Sequence, residues 1–185
     1  MSEFDLIRFG KIPVPWTVSW SVEREGKHFV AIDPVHGMPA VFAPEARGQG
    51  KPLFAKPHDQ RLRRAMREQR CDLCGMRFRP GETKISLSNP QATDLGDLQV
   101  EPMVHRACGI VSLANCPMLQ ARAKSGIMMV RQIQALTLAT SFLTSEAVME
   151  ITGEDWPDGA VMGALKYRID RSIRRDVDWL LRKVS

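Results

Sequence analysis

Four residues carry the clearest chemistry in the chain: Cys71 and Cys74, two residues apart in Cys71-Asp72-Leu73-Cys74-Gly75, and His105 and Cys108, with the same gap in His105-Arg106-Ala107-Cys108. A two-residue gap lets a tight turn aim two sulfurs at one ion, and Gly75 allows the backbone to leave that turn at positive φ. On a helix, positions i and i+3 share a face, so an imidazole and a thiolate at that spacing converge as well. The set predicts one structural Zn²⁺ held by Cys71, Cys74, His105 and Cys108.

Other chemistries for the same residues are weaker. A thioredoxin-like dithiol needs its Cys-x-x-Cys between a strand and a helix, whereas an Arg-rich helix precedes this one and a hairpin signal follows it. A catalytic zinc keeps one coordination position open, and four protein ligands close it. Cys116 lies eight residues beyond Cys108, about 12 Å along a continuous helix, and reads as a buried thiol outside the metal shell. His28, His36 and His58 are isolated in sequence and read as packed or surface residues.

The elements that must place these ligands are only partly legible. Ile12, Val14, Trp16, Val18, Trp20 and Val22 alternate with polar residues and prolines, the pattern of a half-buried strand. With a second strand near His28 to Ile32 it predicts an N-terminal hairpin over residues 11–33. Residues 34–58 are Pro- and Gly-rich and read as a loop. Asp59 offers an N-cap for an Arg-rich helix from Gln60 to about Gln69, with Leu62, Ala65 and Met66 inward.

Met76 to Arg79 and Lys84 to Ser88 flank Pro80-Gly81-Glu82 as a predicted hairpin, and a helix follows from Met103 to Asn115. Knuckle, hairpin, then ligands at a helix start is the plan of a treble-clef finger, within a zinc-binding module at 59–120. Strands are expected at Ile127 to Ile133, Leu136 to Thr140 and Ala147 to Thr152. Met162, Leu165, Ile169, Ile173, Val177, Leu180 and Val184 recur at steps of three and four, predicting a long C-terminal amphipathic helix. Its Arg168, Arg171, Arg175 and Arg182 would lie on a solvent face laced by Asp170–Arg174 and Asp178–Arg182 pairs. The fold class is therefore α+β, a single domain over 1–185 with small antiparallel sheets, the zinc module, and strands plus the long helix in 121–185.

Composition bounds the rest. Hydrophobic residues at 44% and charged residues at 25% describe a globular chain able to bury a core. Met1 to Asp5 carry acids where a secretory signal is basic, and the apolar stretch from Gly126 to Leu143 contains Arg131 and two Gln, so a cytoplasmic location without a membrane span is expected. The net charge of +5 arises in residues 61–81, with seven Arg against two acids, while 1–60 and 82–185 each balance. Arg61, Arg63, Arg64, Arg67 and Arg70 are the candidate contacts to phosphate or a partner protein, although part of this excess would offset the formal −1 of a three-thiolate zinc, as would Arg77 and Arg106.

The chain also resembles a family of uncharacterised bacterial and phage proteins. The resemblance rests on Pro13-Val14-Pro15-Trp16, Cys71-x-x-Cys74-Gly75, Glu101-Pro102-Met103-x-His105-x-x-Cys108 and Cys116-Pro117-x-Leu119, in that order, over about residues 11–120. It implies a shared metal-centred fold and a phage or mobile-element origin, and carries no activity. The chain departs from the family in lacking an aromatic after Cys71 and in residues 120–155. The expected function is a zinc-stabilised, non-enzymatic binding protein contacting nucleic acid or a host protein. The alternative is an HNH-like metal-dependent nuclease, which needs a general-base His and a second metal site that the sequence between the two ligand pairs does not supply.

Overall fold

The computed structural model describes residues 6–88, 91–94 and 96–182, with 91–93 described by backbone alone. The opening acidic residues Met1 to Asp5 and Val184 of the predicted helix lie outside these. The N-terminal third contains β1 (Arg8–Phe9), β2 (Ile12–Pro13), β3 (Val18–Trp20), α1 (Ser21–Glu25), β4 (Phe29–Asp33), β5 (Met38–Phe42) and β6 (Pro52–Pro57). The metal-bearing region contains α2 (Asp59–Arg67), β7 (Lys84–Ser86), β8 (Gln91–Thr93), β9 (Gly96–Gln99), β10 (Val104–His105) and α3 (Arg106–Asn115). It is followed by α4 (Pro117–Lys124), β11 (Val130–Phe142), α5 (Ser145–Thr152), β12 (Met162–Arg175) and α6 (Val177–Leu181). The architecture is mixed α/β, as expected.

One sheet runs in the order β10-β7-β11-β12-β5-β4, with β9 also on β12 and β8 on β9. Its centre is the antiparallel pair β11–β12, in register from Val130↔Arg175 to Phe142↔Met162. Strand β10, which ends on His105, and its neighbour β7 belong to this same sheet through Ile85↔Val104 and Ile85↔Gln132.

That pair overturns the long C-terminal helix. Leu165, Tyr167, Ile169 and Ile173 also fit a two-residue period, and β-branched and aromatic side chains pack well on a pleated surface. The neighbouring β11, distant in sequence, supplies the hydrogen-bond partner that decides between the two periods. In the strand the predicted Asp170–Arg174 pair does not form. Asp170 instead accepts from Arg168 Nε at 2.9 Å and from Thr137 Oγ1 at 2.7 Å. Only α6, the last short helix, keeps helical form in this region.

Other local expectations change for identifiable reasons. The strand expected at Ala147 to Thr152 is the helix α5, because Thr144 caps it by accepting from Ala147 N and Gly153 closes it at φ +75°. The two expected strands within 127–140 are one strand, β11. Residues 11–33 form no hairpin: Trp20 N donates to Glu23 and starts α1, while β3 pairs with β6 instead, Val18↔Pro57. The hairpin is β4–β5, its turn set by Asp33 accepting from the backbone of Val35 and His36. The expected loop at 34–58 thus contains two strands. Arg77 bridges Arg70 and β7 pairs elsewhere, so the predicted 76–88 hairpin is absent.

Two apolar clusters flank the centre. One gathers Leu73, Ile85, Leu113, Met128, Val130 and Leu180 around Cys71 and Cys108. The other packs Met66 of α2 and Met103 against Ile133, Met162, Leu165 and Tyr167. Among the described residues no helix is long and apolar enough to cross a membrane.

Candidate metal centre

The ligand atoms of Cys71, Cys74, His105 and Cys108 all lie within 4.8 Å of one another. His105 Nδ1 stands 3.5 Å from Cys74 Sγ and 3.9 Å from Cys108 Sγ. Tetrahedral zinc, with bonds of about 2.3 Å to sulfur and about 2.0 Å to nitrogen, brings such atoms to roughly 3.5 Å. Cys71 and Cys108 are buried and none of the cysteines is in a disulfide. The residues fit a tetrahedral metal ion.

Each ligand has a local reason for its place. Gly75 N donates to Cys71 O and Cys71 N to Met76 O, which closes the knuckle. The knuckle is clamped from outside: Trp16 N donates to Asp72 O at 2.7 Å, Thr17 Oγ1 bonds Asp72, and the Trp16 ring lies on Gly75. Asp72 N donates to Met103 O at 2.9 Å, fixing the knuckle to the segment that leads to His105. His105 ends β10 and occupies the cap position of α3, so Cys108 enters from that helix's first turn. Gly109 lets α3 approach β7, since a Cβ there would meet Ile85 Cδ1 at 2.5 Å.

With Nδ1 turned to the sulfurs, His105 Nε2 faces Glu82 Oε2 at 3.4 Å, and Phe78 packs on the ring at 4.4 Å between centroids. A carboxylate behind a ligating imidazole fixes its orientation and raises its basicity. Among themselves the donors compete for protons. Hydrogen bonds from Cys108 and Cys71 pull the Cys74 thiol far below its ordinary value, while Cys71 and Cys74, with burial, push Cys108 up. Burial lowers His105, but Cys71 and Cys74 outweigh it and lift it to about 10. A divalent cation bound by these donors would replace those shared protons.

The arginines expected to meet a partner separate into different roles. Arg61 is buried, with Nη1 and Nη2 each 2.7 Å from a Glu23 oxygen and Nη2 also on Val18 O. Arg63 is buried beside Asp33 at 3.4 Å and over the Phe42 ring. Neither is placed to reach a phosphate at the surface. Arg64 and Arg70 converge with Arg77 on Glu68, at 3.1, 2.6 and 2.8 Å. Burial alone would raise Glu68, but the three guanidinium groups hold it at about 2. Arg70 also donates to Gly75 O at 2.9 Å and lies over Trp16, so it braces the knuckle. Arg77 does not approach the metal ligands in this way, and Arg106 stacks on Trp179 and donates to Arg182 O, docking α6 on α3.

Cys116 sits between α3 and α4, half-buried against the cluster around Cys71 and Cys108, and is not one of the four convergent donors. His58 is fully buried, its Nε2 3.0 Å from Pro44 O, and burial pushes its pKa down. Glu23 and Glu82 matter to these arrangements and had no sequence signal, because their partners are far away along the chain. No protein-family model matches the chain, and neither a curated protein nor a solved structure matches it significantly.

Proposed function

We propose that this chain is a zinc-stabilised binding protein of phage or mobile-element type that contacts nucleic acid and does no chemistry on it. The observation that carries the reading is the convergence of four donors from two distant segments: three sulfurs and one imidazole, with a carboxylate behind the imidazole. Sulfur-rich four-ligand sets select zinc, and four protein ligands leave no position for a reacting water. The zinc therefore holds the knuckle to α3 and contributes to folding.

The nuclease alternative loses its best base. His58, the candidate nearest the finger in sequence, is enclosed by Pro44 O and Glu23 rather than turned to a cleft. A water-activating base must reach both solvent and substrate. The net charge of +5, by contrast, suits a polyanionic partner.

The test joins metal and partner. Protein purified without chelator is assayed for zinc, and then titrated against labelled duplex DNA and single-stranded RNA at several salt concentrations. One zinc per chain and salt-sensitive binding without cleavage in Mg²⁺ or Mn²⁺ is the expected outcome. Absence of zinc refutes the metal reading. Cleavage that vanishes in His58→Ala or Asp97→Ala establishes an enzyme instead. A lysate protein that is captured equally after nuclease treatment, with no direct nucleic-acid binding, replaces the partner by a host protein.

A further inference from the structure

We infer that the nucleic-acid surface is the β11–β12 ribbon, with phosphates seated on Arg171 and Arg174, and not the arginine-rich helix α2. The inference rests on the nucleic-acid reading above and gives it an address.

The two strands together hold six cations, Arg131, Lys166, Arg168, Arg171, Arg174 and Arg175, against the single carboxylate of Asp170. That excess is hidden in a linear count, because the segment from Ser145 to Asp158 carries five carboxylates and no cation. Tertiary structure separates them into a basic ribbon and an acidic helix and loop. From Lys166 to Arg175 the strand extends about 30 Å at roughly 3.3 Å per residue, close to the length of one duplex turn at about 34 Å.

The cations on this ribbon differ in how firmly they are held. Arg175 donates twice to Gln132 Oε1 and stacks on Trp179, and Arg168 is bound to Asp170. Arg131 crosses β12 to reach Asp97 of β9, with Nη1 2.8 Å from Oδ2. Arg171 and Arg174 are exposed and have no carboxylate partner among the described residues. They border, with Arg131, Ser172 and Asp97, a shallow groove of about 370 Å³. The groove thus combines the guanidinium groups of Arg171 and Arg174, the Ser172 hydroxyl, and two carboxylates, Asp97 and Asp170, that are engaged by Arg131 and Arg168. On α2 the exposed Arg64 is already committed to Glu68, which also holds Arg70 and Arg77 beyond the helix, and Arg67 is only half-exposed, its Nη1 buried.

The zinc-loaded full chain is titrated with a labelled 25-base-pair duplex by fluorescence anisotropy across a NaCl series. Replacing both Arg171 and Arg174 by Gln removes two phosphate contacts, so the slope of log K against log salt falls by about 1.8. Zinc content and thermal midpoint of that variant check that the fold is intact. Arg64→Gln with Arg77→Gln leaves the slope at its wild-type value. Asp97→Asn releases Arg131 and tightens binding. A wild-type slope in the Arg171/Arg174 variant, or its loss in the Arg64/Arg77 variant, overturns the ribbon while leaving nucleic-acid binding in place. A wild-type protein that does not bind the duplex overturns both.

Discussion

Replacing Gly75 by alanine tests whether the Trp16 segment and the knuckle form one unit. Gly75 has φ +72°, and an added Cβ would lie 2.5, 2.6 and 2.8 Å from Cγ, Cδ1 and Cδ2 of Trp16. The left-handed conformation costs an L-residue about 1–2 kcal/mol. The clash adds overpacking of about 1–3 kcal/mol, because the atoms met are at the root of a ring and cannot swing away as a flexible chain end would. Retreat of the ring is opposed by the Trp16 N to Asp72 O bond and by Arg70, 5.8 Å above the ring. The sum is about 2–5 kcal/mol. Urea denaturation in zinc-containing buffer measures it for Gly75→Ala, Trp16→Ala and the double variant. Truncating the ring removes the clash but not the backbone penalty, so the double variant should be less destabilised than the sum of the singles by about 1–3 kcal/mol. A wild-type midpoint for Gly75→Ala, or single effects that add within about 0.5 kcal/mol, would refute the clamp.

Further outcomes follow from the same geometry. Arg61→Ala leaves Glu23 buried without its bidentate partner and should cost about 3–5 kcal/mol by thermal or chemical denaturation, which a surface phosphate contact would not. Glu68→Gln tests the three-arginine cluster: its folded pKa of about 2 lies below the ordinary 4.5, so its contribution is complete above about pH 4.5 and disappears as pH falls towards 2. The stability gap to wild type should accordingly be about 1–2 kcal/mol at neutral pH, after screening of the exposed arginines, and close as the solution is acidified. A gap independent of pH would point to packing alone. Cys74→Ser and Cys108→Ser should lose zinc and soluble protein, while Cys116→Ser should retain the metal, as read by elemental analysis. Zinc loss in the Cys116 variant would place that thiol in the shell.

The features legible from residue order alone are those that depend on short spacing. Two cysteines separated by two residues and followed by Gly75 can hardly avoid forming a knuckle, and His105 and Cys108 meet because three residues at a helix start bring them to one side. The helix expected over Gln60 to about Gln69 was legible for the same reason, from its local periodicity, although it begins one residue earlier, with His58 at the cap position, and ends at Arg67. Tertiary structure decided everything that requires a partner distant along the chain. Residues 162–175 satisfy both a helical and a strand period, and pairing with β11 selected the strand. Arg61 and Arg64 look alike in a sequence, yet Glu23, 38 residues away, draws one into the core, while the other meets only Glu68 one turn ahead. The ribbon's charge was invisible for a further reason: electrostatics acts through space, and the five carboxylates between Ser145 and Asp158 that offset those cations in a linear count form no ion pair with them among the described residues.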